Sequence, residues 1–586
     1  MADDALLRSF EPVLRLTKGE YFFPVAVDGY VARAALWTDE DSDESVLAAP
    51  AGDFDLHSLA ALSRTTQGLG QSLSGIRTTD ADPGTARIPA RDRPPRLKGA
   101  SRLAAVGLLA RFVDSLNRFS LLFRGSVPGG SAARSYLLQR DHLDADRPTY
   151  YGRVVRDGHW IVCQYWFFYS FNNWRSAFGG VNEHEADWEQ VTVYLDGAGP
   201  RDADGLPHPR WVVFSAHDET GDDLRRRWDD PDLAVVDGRH PVVYAGAGSH
   251  SGAYLPGDYL ITIPAPNGNW LLRSVRWLAR VFTPWSSSAQ GVGIPYLDYA
   301  RGDGRRIGPG EAEHWARVAI DDTTGWVRDF RGLWGHDTRD RLGGERGPAG
   351  PRYERDGTVR ESWADPVGWA GLAKVAPNPQ AERDLVAARA EEIAIRLADL
   401  DEQVVAARSR LARAAAGLAP AAPEVRALAP AEEELLALRM EQTRLRDEHA
   451  RIVSDSEPLS ITVDPHAHLS HRRLPMEPLT GVRGRLLSWW AVLSTPLILY
   501  ALAAVVSPWV GASATVTSIL WLILLMSVEG LVRGHFLGVM LRFAALVAAA
   551  IATYYRWLDW RYVLTGVLLL SAALVLLAGI RDAWRR

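Results

Sequence analysis

Polar and apolar positions alternate strictly through the middle of the chain's first half. From residue 187 onward, Asp187, Glu189, Val191, Val193 and Leu195 fall on one face of an extended strand, and Trp188, Gln190, Thr192 and Tyr194 on the other. The pattern predicts a strand whose core-facing stripe ends in two carboxylates. Desolvating two like charges there is costly unless a cation or hydrogen-bond donors neutralise them. His184, three residues ahead of Asp187, reaches the same point from the preceding loop. His184, Asp187 and Glu189 therefore form a candidate divalent-cation site, with a solvated strand end that binds nothing as the alternative.

A different period governs residues 379–455. Val386, Ala390, Ile393, Leu397, Leu400, Val404, Ala407 and Leu411 recur at alternating spacings of four and three, a heptad seam. Leu435, Leu438, Leu445 and Ile452 repeat it, with Gln442 and His449 at the intervening seam positions, and Pro420, Pro423 and Pro430 break the helix between the two pieces. The expectation is an antiparallel helical hairpin, or half of an intermolecular coiled coil through which the chain self-associates.

The last hundred residues are patterned differently again. Apolar runs at Leu486 to Val506, Ser513 to Val532, Phe536 to Tyr555 and Tyr562 to Ile580 each approach the roughly 20 residues that cross a bilayer as helix. They predict a four-helix transmembrane module over 485–586, after a linker at 456–484. From Arg472 onward eleven arginines stand against Glu477, Glu529, Asp559 and Asp582, and their clustering before the first run and after the last puts both termini in the cytoplasm of a plasma-membrane protein. The opening Met1-Ala2-Asp3-Asp4 has no signal-peptide character. Glu529 and Arg542 lie inside the runs and read as snorkelling residues near one interface. Two arginine-bearing amphipathic segments, Arg102 to Arg124 and Trp270 to Trp285, suit either an anionic membrane surface or ordinary core packing.

Several motifs carry a resemblance. Tyr165-Trp166-Phe167-Phe168-Tyr169-Ser170-Phe171-Asn172-Asn173-Trp174, the H-x-x-D-W-E element from His184 to Glu189, Ser215-Ala216-His217, and Pro241-Val242-Val243-Tyr244 with Gly248-Ser249-His250 follow in order. Glu11-Pro12-Val13-Leu14-Arg15, Phe22-Phe23-Pro24 and Gly332-Leu333-Trp334-Gly335 flank them. Over roughly residues 5 to 370 this order resembles the vacuolar protein sorting-associated protein 62 family. More distantly, H-x-x-D-W-E and Ser-Ala-His resemble the necrosis- and ethylene-inducing-like proteins. The resemblance implies a β-sandwich domain, 1–376, holding a divalent cation at one end through His184, Asp187 and Glu189. It also implies a further carboxylate after the aromatic strand, where this chain has Asn172 and Asn173, so the cage carries one negative charge fewer.

The fold class expected is thus a β-sandwich-rich (α+β) N-terminal domain, a helical coiled-coil hairpin and a C-terminal transmembrane module. A net charge of −6 over 586 residues leaves no basic footprint for nucleic acid. The single Cys163 excludes a disulfide framework and reads as a core residue. Only Lys18, Lys98 and Lys374 among 65 basic residues are lysine, a bias of GC-rich bacterial coding. Three functional readings stay open. In the first, the cation, with His217 and His250 lining the same cavity and Trp166, Trp174 and Trp188 ringing it, recognises a lipid headgroup or glycan at the lipid bilayer. In the second, it activates water in a hydrolase of membrane-derived substrates. In the third, the domain is a structural tether with a protein partner. Oxygen ligands favour Mg²⁺ or Ca²⁺; recruitment of the histidines favours Zn²⁺ or Mn²⁺.

Overall fold

The structure is a computed structural model that describes residues 2–39, 45–66, 70–76, 87–89, 130–174, 183–216, 220–264, 293–336, 347–373, 375–419, 423–454, 473–476, 481–506 and 511–538, together with positions 92, 104, 106–108, 111, 466, 469, 540–541 and 544–545. At its centre is a six-stranded sheet. The strands run in the order Ala316–Ala319, Thr149–Asp157, Trp160–Asn172, His184–Asp196, Pro209–Phe214 and Arg225–Arg227. All neighbours pair antiparallel except the first two, which are parallel.

The two longest strands explain why both faces of this sheet are covered. Trp160–Asn172 is aromatic at odd and even positions alike, so each side of the pleat carries a hydrophobic load. Tyr165, Phe167, Tyr169 and Phe171, with Val191, Val193 and Leu195, face a core shared with Leu14, Val243, Ala245 and Ile307. Those last four come from a second sheet, in which Val13–Arg15 lies parallel to His240–Ala245 and antiparallel to Arg306–Ile307. On the opposite face Trp166, Phe168 and Trp188 pack against Tyr30, Leu36, Leu73, Trp326, Trp334 and Trp363. Leu36, Leu73 and Trp334 belong to a third sheet of Leu333–Trp334, Gln71–Ser74, Ala35–Asp39 and Ser45–Ala49. The central sheet is therefore the middle of three sheet layers, with helices added at the margins, and the β-sandwich implied by the family resemblance is corrected to mixed sheets plus helices. The strand's second face is not polar: its polar members, Gln190 and Thr192, are buried and bonded to each other at 2.6 Å.

Two long helices, Pro379–Ala415 and Ala429–Ser454, follow. Asn378 caps the first by accepting from Gln380 N at 3.0 Å and Ala381 N at 2.9 Å, with Pro379 at the first helical position. The helices pack antiparallel within the chain through Ile393, Leu400 and Leu445. Arg389 pairs with Glu448, Arg396 with Glu441 and Arg446 with Asp401 across the seam.

The C-terminal expectation is overturned. Among the described residues no helix is long and apolar enough to cross a membrane. This removes the transmembrane module, the multi-pass plasma-membrane placement and the function built on it. Gly481–Val506 carries Pro496 inside it and buries Ser494 and Thr495, and Ala512–Arg533 carries Glu529. The two helices pack as a pair around Leu487, Ala491, Ile498 and Leu525, with Ala104 and Leu108 against them. Buried at their contact, Arg111 donates to Glu529 at 2.6 Å and to Ser494 at 3.0 Å. The first two apolar runs thus meet each other at a contact that includes a desolvated ion pair, which hydropathy averages do not reveal. Most of the third run, all of the fourth and the whole Trp270 to Trp285 segment lie outside the described residues, as does most of Arg102 to Arg124.

Candidate functional site

Register places the acidic residues. Tyr169 pairs with Asp187, Phe167 with Glu189 and Asn172 with His184, so Asp187 and Glu189 share the face of the first core and sit near its end. Asn172 donates from Nδ2 to Asp187 Oδ2 at 3.0 Å. The next neighbour comes from far along the chain. The turn after His240–Ala245 closes with His250 N donating to Gly246 O at 3.0 Å and Gly246 N to Ser251 O at 3.0 Å. His250 takes a left-handed backbone, φ 56°, which is costly outside glycine and concentrates at functional sites. Its ring lies flat on Tyr169, 3.8 Å between centroids and 3° from parallel. Its Nδ1 is 2.9 Å from Asp187 Oδ2 and its Nε2 is 3.9 Å from Glu20 Oε1.

Each carboxylate of this cluster has a separate support. Glu20 Oε1 accepts from Tyr21 N at 2.7 Å and Phe22 N at 3.1 Å, and Oε2 from Gly248 N at 2.7 Å. Gly248 sits at φ 77°, and a Cβ there would fall 2.5 Å from the Asn173 carbonyl oxygen, so only glycine lets this turn approach so closely. Asp298 accepts from Ser249 at 2.8 Å and Ser251 at 2.6 Å. Glu189 accepts from the Ser215 hydroxyl, which in turn accepts from Gln190 N at 2.7 Å. Glu20, Asp187, Asp298 and His250 are buried, whereas Glu189 is only partly so, which makes Glu189 the side open to solvent. Burial, then the charge of Asp187, pushes the Glu189 carboxyl well above its ordinary range. Burial beside Glu189, Asp187 and Glu20 likewise raises the Tyr169 phenol.

Three buried polar atoms in this region have no hydrogen-bond partner among the described residues: His250 Nε2, Tyr169 Oη and Asn173 Oδ1. A bound ion or water is one way such buried atoms are satisfied.

The sequence-predicted residues divide. Asp187, Asn172, Asn173 and His250 come together, with Glu189 beside them. His184 turns back on its own chain, Nδ1 2.7 Å from Ala186 O, and burial holds its imidazole below the usual range. Ala186 explains the turn: at φ 60° it breaks the strand alternation. Trp188 faces the opposite core, and Trp166, Trp174 and Trp188 are 2%, 4% and 8% exposed, so the expected aromatic ring for sugars is packed away. His217 lies outside the described residues. His184, Asp187 and Glu189 do not bring three ligand atoms within 4.8 Å of one another; among the described residues only Asp230, Asp232 and His466 do so.

Glu20, Asp298 and Glu185 of this region stand in no pattern that the sequence shows. Glu20 lies in a loop with no motif. Glu185 was passed over beside its acidic neighbours, yet it is a fully buried anchor that accepts from Tyr30 Oη at 3.0 Å, Ser74 Oγ at 2.7 Å, Gly75 N at 2.6 Å, Ile76 N at 3.1 Å and His336 N at 2.9 Å. Its donors come from three segments that nothing local ties to it.

Comparison with known protein families, with curated proteins and with solved structures finds no match to this chain.

Proposed function

We propose that this chain is a divalent-cation-binding protein whose ion would draw His250 Nε2, Glu20 and Glu189 together from the wider spacing they have here, with Asp187 acting behind His250. The observation that carries this reading is the state of His250. Its Nδ1 lies 2.9 Å from Asp187 Oδ2, while its buried Nε2 has no hydrogen-bond partner among the described residues and stands 3.9 Å from Glu20 Oε1. A carboxylate behind a histidine and a second carboxylate in front is the arrangement of a metal-ligating imidazole. A histidine activating a nucleophile faces a hydroxyl instead, and the nearest group to Nε2 is a carboxylate.

The charge balance supports the same reading. Glu20 and Asp187 flank the His250 imidazole, and Glu189 senses the charges of Asp187 and Asp298; a divalent ion would offset the burial and repulsion that raise the Glu189 carboxyl. The mixed set of carboxylate oxygens and one imidazole suits Mn²⁺ or Zn²⁺ better than an all-oxygen Ca²⁺ cage. The resemblance to the vacuolar protein sorting-associated protein 62 family bears on the same place: the aromatic strand's Tyr169 and Asn172, Asp187 of the H-x-x-D-W-E element, and His250 of Gly248-Ser249-His250 come from 86 residues of sequence, 165 to 250, and contact one another.

The test is metal content and melting temperature of chelator-stripped protein with added Mn²⁺ or Zn²⁺. Binding to the native state alone stabilises it by about 2.7 kcal/mol at a hundredfold excess over Kd. The wild type should gain this, His250→Ala should lose it, and Asp187→Asn should weaken affinity roughly 10- to 100-fold. A His250→Ala protein that melts like the wild type at every metal concentration would overturn the assignment.

A further inference from the structure

The inference concerns a second cluster, unrelated to the first. The short segment Asp229-Asp230-Pro231-Asp232 joins the strands Arg225–Arg227 and Val235–Val236. It is closed by Asp230 N donating to Arg227 O at 3.1 Å and Leu233 N to Asp230 O at 3.0 Å, and Asp232 N donates to Asp230 Oδ1 at 2.8 Å. Two carboxylates are thereby presented on one turn, and both are buried. The third member comes from 236 residues further on: His466 Nε2 lies 2.8 Å from Asp230 Oδ1 and 3.3 Å from Asp232 Oδ2.

We infer that Asp230, Asp232 and His466 form a transition-metal site of the zinc class that fastens the segment after the helical hairpin to the sheet domain. One ligand atom from each lies within 4.8 Å of the other two. In a tetrahedral site with metal–ligand distances of about 2.1 Å, ligand atoms lie about 3.4 Å apart, so this triangle closes around an ion with small side-chain movements. Two carboxylates and one imidazole leave a fourth position for water, as in three-ligand zinc sites.

An independent observation points to the missing charge. Asp230 Oδ2 is buried, on a side chain with no exposure, and has no hydrogen-bond partner among the described residues. The nearest cation, Arg226 Nε, stands off at 3.8 Å and is itself unsatisfied there, its guanidinium being drawn over the Tyr254 ring at 4.4 Å. A buried carboxylate oxygen left without a donor favours a cation beside it.

The position of the site gives the ion its role. The helical pair is tied to the central sheet at its start, where Asn378 Nδ2 donates to Asp196 Oδ1 at 2.8 Å. Its far end returns to the sheets through His466, then Arg473 over the Tyr259 ring at 5.5 Å and Met476 N donating to Asp258 O at 2.7 Å. An ion at His466 therefore fixes the second end of the hairpin.

The experiment uses the full chain, stripped with chelator and titrated with Zn²⁺ alone, and reads stoichiometry together with the rate of tryptic cleavage after Arg473. Glu189→Gln serves as background, so that failure of the His250 site is scored separately. On that background, one equivalent should bind and slow cleavage at least tenfold. His466→Ala should abolish both effects, and His466→Cys should restore binding, because a thiolate ligates zinc while a mere ion pair with Asp230 gains nothing from it. An unchanged equivalent in His466→Ala, cleavage indifferent to Zn²⁺, or His466→Cys behaving like His466→Ala would each overturn the inference.

Discussion

Around His250 the carboxylates arrive on strand ends and turns that pack into one core, and the histidine is held on three sides by Asp187, the Tyr169 ring and a left-handed turn. Around His466 the carboxylates share one tight turn, and the histidine arrives from 236 residues further along the chain. The first cluster is built into one core; the second joins two distant parts of the chain. Loss of metal should therefore leave the first cluster's architecture standing and loosen the second's.

The largest expected effect defines the scaffold half of this comparison. Glu185→Ala deprives five donors, three of them in buried hydrogen bonds, of their acceptor, and breaking such a network costs about 3 to 5 kcal/mol. Urea unfolding should show that loss equally with metal and with chelator. Dependence on metal would mean that Glu185 belongs to the cation site after all.

Gly248→Ala comes next. The turn needs φ 77° and has no room for a Cβ beside Asn173, so a penalty of about 1 to 3 kcal/mol is expected. Because Gly248 N holds Glu20, metal affinity should fall as well. A stability loss with unchanged affinity would detach Glu20 from the ion.

How much of this was legible follows from the range of each signal. Asp187 and Glu189 could be placed on one face because strand alternation is local, and the heptad spacing of Ile393, Leu400 and Leu445, which pack together here, is local too. Ala186 defeated the alternation immediately upstream: nothing in an alanine announces a left-handed backbone, so His184 was aimed at the ion and Glu185 ignored. Glu20 and His466 are set by tertiary contacts with no sequence period. In the C-terminal runs, what no hydropathy pattern carries is the Arg111–Glu529 contact at 2.6 Å, which joins positions 418 residues apart.

A smaller effect separates proton from cation at the first cluster. The folded-state carboxyl of Glu189 titrates above its unfolded value, so metal-free native protein binds the extra proton, and stability falls as pH rises from the ordinary glutamate range of about 4.3 through the raised value. Glu189→Gln should flatten that slope in chelator and be more stable than wild type at neutral pH. With metal the order should reverse. A wild-type slope of opposite sign would contradict the buried-carboxylate picture.

The smallest effect lies on the hairpin. Arg396→Ala removes an exposed pair with Glu441, and such pairs contribute little; its thermal melt should match the wild type, whereas a large shift would mean that the two helices are held by charge rather than by Ile393, Leu400 and Leu445.

The most direct measurement is anomalous diffraction at the metal edge from crystals grown with Mn²⁺ or Zn²⁺. The account predicts a peak about 2.0 to 2.2 Å from His250 Nε2 and within ligand distance of Glu20 and Glu189. Density around His250 with no anomalous peak at millimolar metal, or an ion bound by His184 while His250 Nε2 contacts only protein, would contradict it.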